Sequence, residues 1–332
     1  MCLFCDIVVK MVYIKGKILM EGAMIMKYRK LGITNLSVSV VGIGTWQFGG
    51  EWGHDFTQIE VDAILERAKE VGINLIDTAE CYGDHLSEKF IGNYLQRDKR
   101  EDWIVATKFG HHFHSKFERT RHWSADEVLK QLDDSLKALQ TDYIDVYQAH
   151  SCTDEEFNND DLWTMLDKQK QAGKIRHLAV SLAGNQDDYQ TNKATEVGAE
   201  AIQVVYNRLD RAPEETIFPS ALEQDLGVLA RVPLASGYLS GKYKPGASFK
   251  ASDVRSLYDK EEVDRQLKIV AEIARHEVPN GVDMATWALA WCLKHDAVTT
   301  VIPGCKNPDQ VSANAKAASL DLVSEQHPQA IK

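Results

Sequence analysis

INLIDTAECYG, residues 73–83, is the stretch on which the fold turns. Its apolar run stops abruptly at Asp77 and becomes polar. A strand buried on both faces reads this way, as a near-continuous apolar run with no alternation. The same pattern recurs at SVVGIG (39–44), WIVATK (103–108), YIDVYQAH (143–150) and IRHLAVS (175–181). It continues at AIQVVYN (201–207), GVLARVPL (227–234) and TTVIPG (299–304), which makes eight candidate strands.

Amphipathic stretches lie between them. TQIEVDAILERAKEVG (57–72) predicts a helix with Ile59, Ala63, Ile64, Ala68 and Val71 on one face, ended by Gly72. SADEVLKQLDDSLKALQ (124–140) carries Ser124 as N-cap and Glu127 at the capping-box position. Val128, Leu132, Leu136 and Leu139 then follow at helical spacing. NDDLWTMLDKQKQAG (159–173) and PDQVSANAKAASL (308–320) read similarly. Strand and helix alternating eight times predict an α/β fold, a (β/α)8 TIM barrel. A doubly wound sheet would want GxGxxG after its first strand, and GIGTW has only Gly42 and Gly44.

Two segments stand outside the repeat. MKYRKLGITNLSVS (26–39) alternates around a glycine turn and predicts an N-terminal β-hairpin at the barrel bottom. Residues 235–262 are polar and rich in Gly, Ser and Lys, and form a long loop after strand 7. Loops of that length are usually functional or mobile. Residues 26–332 therefore read as one barrel domain, and residues 1–25 as an N-terminal extension outside the fold.

The chain has 332 residues, 44% apolar and 26% charged, with net charge −11. These are the proportions of a globular protein. The acidic balance speaks against nucleic acid as a partner. No segment has the length and apolarity of a membrane span. Cys2 and Cys5 form a CxxC without a second pair, and the other four cysteines are scattered, as in a cytoplasmic protein with reduced thiols. GHHFH (110–114) has no further ligand at a catalytic spacing, so no metal is expected.

Strands of one parallel barrel end on one face, so their last residues converge. Asp77, Tyr82, Lys108 and His150 sit at three such ends. Each alone has an ordinary explanation: a loop cap, turn chemistry, a solvated lysine, an interior histidine. Together they form a proton-transfer site. Tyr82 could protonate a carbonyl oxygen, Lys108 could lower the phenol's pKa, Asp77 could hold the ammonium, and His150 could orient the carbonyl. None donates hydride, so a cofactor must.

From residue 26 onward the chain resembles the aldo-keto reductases. LIDTAECYGDHLSE (75–88) resembles their Asp and Tyr segment, ATK (106–108) the Lys segment and DYIDVYQAH (142–150) the His segment. AGKIRHLAVS (172–181) and VIPGCKNPDQVSANAKA (301–317) resemble their cofactor segments. The resemblance implies a nicotinamide-dependent oxidoreductase interconverting a small aldehyde or ketone and its alcohol, with Asp77, Tyr82, Lys108 and His150 as catalytic residues. A non-catalytic nicotinamide-binding redox sensor is the alternative, and a homo-oligomer stays open.

The resemblance also implies cofactor contacts. Gly44, Thr45, Trp46 and Asp77 belong to them, and Ser181 and Gln203 match carboxamide-binding positions. Leu182 stands where an Asn is common, and Arg231 where many members stack an aromatic on the nicotinamide. Leu234, Ser236, Gly237, Leu239, Gly241 and Lys242 lie in a run suited to a pyrophosphate. Gly304, Lys306, Gln310 and Asn314 match the adenosine end. The cation at Lys306 implies NADP(H) over NAD(H), with NAD(H) open. The expected substrate pocket comprises Trp46, Phe48, Trp52, Tyr82, Phe109 and His150, joined by Tyr206, which implies a partly apolar substrate.

Overall fold

The computed structural model describes residues 11–14, 17–20, 26–185 and 188–319. Within the N-terminal extension, Met11–Ile14 pairs antiparallel with Lys17–Met20. The rest of residues 1–25, including Cys2 and Cys5, lies outside the described residues, as does Leu320 of the last expected helix.

All eight expected strands form. They are β1 (Ile43–Gly44), β2 (Leu75–Asp77), β3 (Ile104–Phe109) and β4 (Ile144–His150). The series continues with β5 (Ile175–Ser181), β6 (Ala199–Val205), β7 (Gly227–Arg231) and β8 (Thr300–Val301). They are parallel and adjacent in chain order. The two ends of the sheet meet where Val41 bridges Val301 and Gly44 bridges Gly304, both parallel. That closes the sheet into a barrel.

The expected helices form α1 (Gln58–Glu70), α2 (Ala125–Leu139), α3 (Asp160–Gln171) and α4 (Pro308–Ala315). Ser124 and Glu127 make the expected capping box. Thr57 and Glu60 make another, legible as T-x-x-E but overlooked in the sequence. The buried face of α1 differs from expectation. It is Val61, Ile64, Leu65 and Ala68, while Ile59 is 80% exposed and Ala63 is exposed. Periodicity alone allows two neighbouring stripes, and docking on the sheet selects one.

Tyr28–Lys30 pairs antiparallel with Ser37–Ser39. Leu31 and Val38 of this hairpin pack with Leu75, Ala106, Val146, Ala179, Ala201, Leu229 and Ile302. This cluster is an apolar layer to which β2 to β7 each give one side chain. Side chains repeat on one face every two residues. The next inward position on each strand is therefore Asp77, Lys108, Gln148, Ser181, Gln203 and Arg231. The hydrophobic layer seats a polar layer directly above it.

GHHFH is strand as well as loop. His111–Ser115 pairs with Glu118–Arg121 as an antiparallel hairpin after β3. The chain after β7 turns through Ala235–Ser240 and runs to Val254–Leu257. There Val254 N–H donates to Glu51 O at 2.8 Å, and Trp52 bridges Asp253. The loop thus joins the segment after β1. No helix among the described residues is long and apolar enough to cross a membrane.

Candidate active site

Register assembles the site. Lys108 lies beside Gln148, His150 beside Ser181, and Ser181 beside Gln203. Lys108 is fully buried, and its Nζ donates to Asp77 Oδ2 and to Thr78 O, each at 2.7 Å. It also reaches Tyr82 OH at 3.4 Å. Asp77 Oδ1 accepts from Gln203 Nε2 at 2.7 Å and from Gln148 Nε2 at 3.0 Å. A buried carboxylate is tolerable only when paired and hydrogen-bonded in this way. The rings of Tyr82 and His150 meet edge to face at 6.1 Å. His150 Nδ1 lies 3.7 Å from Cys81 Sγ. The four residues picked out from the sequence are therefore brought together.

The charges differ from expectation in one respect. The Tyr82 phenol is raised above its usual value, whereas Lys108 alone would lower it. Burial is the larger effect, because Lys108 spends its short hydrogen bonds on Asp77 and Thr78. Lys108 itself is raised: burial opposes its charge, but Asp77 and Tyr82 together outweigh it. His150 is held well below the usual imidazole range, by burial and then by Lys108, His111, Arg119 and Arg231. It is neutral near pH 7.

Several expected contacts are placed elsewhere. Phe48 is fully buried against Phe56, and Phe109 against Trp123 and Tyr147, so neither offers a surface to substrate. Tyr206 is also fully buried, its hydroxyl donating to Glu214 Oε1 at 2.7 Å. Trp46 and Trp52 remain at the mouth, with Trp46 stacked 6.3 Å from the Tyr82 ring.

Thr45 is fully buried, and its hydroxyl donates to Asp77 O at 2.9 Å, so it braces β2. Gly44 belongs to the barrel seam with Gly304. Gln203 Nε2 is committed to Asp77 and, at 3.1 Å, to Gln148 Oε1. The N–H groups of Gly237 and Leu239 both return to Leu234 O, at 2.9 and 3.1 Å. They close a tight turn and do not point at a phosphate. Gly241 N–H likewise donates to Tyr238 O, and Ser236 Oγ lies 3.4 Å from Tyr258 OH. Lys242 is exposed.

Other positions offer unspent donors. Ser181 Oγ, Arg231 Nε and Asn314 Nδ2 are buried without a hydrogen-bond partner. Arg231 is anchored to a backbone carbonyl, its Nη2 donating to Leu182 O at 3.0 Å. Lys306 immediately precedes Asn307, the N-cap of α4, and Gln310 Oε1 accepts from Lys306 N–H at 2.8 Å. Lys306 Nζ donates to Trp52 O at 3.0 Å, and Arg255 and Lys242 lie within electrostatic range. Among the described residues no group of three or more His, Cys, Asp or Glu is placed to hold a metal ion.

The sequence reading missed Gln148, His111, Glu51 and Arg119. Gln148 was legible, being one inward step ahead of His150. Arg119 was not, because only the hairpin after β3 folds it over Tyr82, with its guanidinium carbon 6.0 Å from the ring centre.

Comparison with known proteins identifies the family. The sequence model of the Aldo/keto reductase family matches residues 40–331. The chain is 32% identical to the NADH-specific methylglyoxal reductase of Escherichia coli, over 90% of this chain and 95% of that one. An aldo-keto reductase structure from Bacillus halodurans, in its holo form, superposes with a TM-score of 0.77 at 32% identity, covering 92% of this chain and 95% of the other. The glycerol dehydrogenase structure from Gluconobacter oxydans gives 0.79 at 28% identity, covering 92% and 94%. The chain belongs to the aldo/keto reductase family, and it is an oxidoreductase.

Proposed function

We propose that the protein interconverts an aldehyde or ketone and its alcohol with NADP(H), Tyr82 being the proton donor in reduction. The observation that carries this reading is the Asp77–Lys108–Tyr82 chain, with His150 edge-on to the phenol. A bound nicotinamide dinucleotide supplies the hydride.

The protein's own residues do the rest. Tyr82 OH holds the proton for the carbonyl oxygen. Lys108, kept charged by Asp77, stabilises the phenolate left behind. Gln148 and Gln203 fix the carboxylate, which fixes the ammonium. His150, neutral, donates a hydrogen bond to the same carbonyl oxygen and orients it.

The unspent donors suit a cofactor. Ser181 and Arg231 lie in the polar layer, where a carboxamide would seat, and Asn314 lies on α4. Lys306, beside the α4 N-terminus with Arg255 and Lys242 nearby, suits a 2′-phosphate. A lysine is a point charge without arginine's fork, so the preference for NADP(H) is modest. The long loop after β7 would serve as a lid over a bound dinucleotide.

A fluorescence titration with NADPH and NADH tests the cofactor assignment. NADPH should bind more tightly, and Lys306→Ala should weaken NADPH more than NADH. Equal losses would sink the 2′-phosphate contact. Carbonyl-dependent NADPH oxidation, lost in Tyr82→Phe with cofactor affinity unchanged, tests the chemistry. Binding without turnover across a broad carbonyl panel would favour a redox sensor.

A further inference from the structure

His150 can orient a carbonyl only if the nitrogen facing it carries a proton, and a neutral imidazole has one proton for two nitrogens. The fold fixes where the ring sits. β4 holds the His150 backbone beside Ser181 of β5. The Tyr82 ring stands edge-on to the imidazole. The His111 ring stands edge-on at 4.9 Å and hydrogen-bonds the His150 backbone. None of these contacts tells the two nitrogens apart.

Cys81 does. Its Sγ lies 3.7 Å from His150 Nδ1, and among the described residues neither the thiol nor the ring has another hydrogen-bond partner. Cys81 is fully buried. Burial pushes its thiol up to about 12, so the sulfur keeps its proton. Sulfur is a weak acceptor, whereas the unprotonated nitrogen of an imidazole is a good one. The better pairing is therefore S–H donating to Nδ1, which leaves the ring proton on Nε2. The opposite tautomer would set a ring N–H against a poor acceptor and leave the buried thiol with none.

We infer that Cys81 is a positioning residue, whose S–H locks His150 in the tautomer with the proton on Nε2. The inference rests on the carbonyl-reduction reading, in which that Nε2–H meets the carbonyl oxygen. In the other tautomer two lone pairs would face each other, and His150 would repel the oxygen it has to hold. Cys81 and Tyr82 are adjacent in the chain. The turn after β2 thus delivers both the acid and the thiol that sets the second donor.

The test is long-range proton–nitrogen NMR correlation of isotope-labelled protein at neutral pH without cofactor, with His150 assigned by its loss in His150→Phe. In the wild type Nε2 should resonate as a protonated nitrogen and Nδ1 as an unprotonated one. In Cys81→Ala the Nε2 resonance should move towards the unprotonated range, as the second tautomer gains population. In the same variant kcat/KM for propanal should fall roughly two- to tenfold, the range that one neutral hydrogen bond commands, with cofactor affinity unchanged. A merely structural loss would lower the rate without moving Nε2. If circular dichroism shows Cys81→Ala unfolded, the infrared S–H stretch decides: the Cys81 band should lie at lower wavenumber in the wild type than in His150→Phe. A wild type protonated on Nδ1, an unmoved Nε2 resonance or rate in folded Cys81→Ala, or an S–H band that His150→Phe leaves in place overturns the inference and leaves carbonyl reduction standing. Cofactor binding without turnover of propanal or of a broad carbonyl panel overturns carbonyl reduction, and the part of Cys81 in it, whatever the spectra show.

Discussion

Tyr82 keeps its proton because burial outweighs the ammonium beside it. A phenol held above its usual 10.0 stays protonated up to that pH. His150, held well below 6.5, does not change charge on crossing that value from above. Under the proposed mechanism Tyr82 must be protonated and His150 neutral for reduction. The expected profile of kcat/KM is therefore level from pH 6.5 to 10.0, falling only above it. A falling limb well below 10.0 would show that Lys108, and not burial, sets the phenol. At this scale the sequence was informative where chemistry sits at strand ends. Asp77, Tyr82, Lys108 and His150 could be named from short apolar runs and their last residues. Phe48, Phe109 and Tyr206 could not be placed, because an aromatic beside a strand end can turn outward to pack as readily as inward to bind.

Among the elements, the seam between β1 and β8 is a tight constraint. Gly44 N–H donates to Pro303 O at 3.0 Å, and Gln47 Nε2 clips both Gly44 O and Cys305 O at 2.9 Å. A Cβ on Gly44 would stand 2.5 Å from Ile302 O, a backbone atom with no rotamer to give way. Gly44→Ala should cost about 1–3 kcal/mol of stability, as overpacking generally does. The melting temperature reads this out. Gly184→Ala, where an added Cβ meets nothing within 4 Å, is the control and should melt as wild type. Equal melting of Gly44→Ala would mean that the seam is looser than its contacts imply. The eight strands were legible because apolar runs of this kind have few other uses. The buried stripe of α1 was not, since Ile59 and Ile64 both fit a helical period and only packing chose between them.

On the scale of the whole molecule, the long loop after β7 ties two distant segments together across the mouth of the barrel. Val254 holds Glu51, Asp253 bridges Trp52, and the Arg255 guanidinium pairs with Asp253 while lying 4.1 Å from the Phe249 ring centre. Lys306 donates to the carbonyl of Trp52 from the far side. A dinucleotide reaching from Ser181 to Lys306 should pass beneath this strap and steady it. Amide exchange across residues 250–257 should slow on saturation with the bound cofactor. Unchanged exchange there would remove the lid from the mechanism. The loop's length and Gly/Ser/Lys content marked it in the sequence, but nothing in its residues showed where it lands.

The sequence by itself determined the barrel and the four central residues, because both follow from local rules. A buried strand needs an apolar run, and a parallel barrel delivers every strand's end to one rim. Tertiary structure alone decided which atoms are spent and which are free. Gln203 spends its amide on Asp77, Gly237 and Leu239 spend theirs on Leu234, while Ser181 Oγ, Arg231 Nε and Trp46 Nε1 stay unpartnered. Hydrogen-bond satisfaction depends on neighbours many residues away. So does the arrival of Arg119 over Tyr82, which a hairpin brings about and no spacing announces.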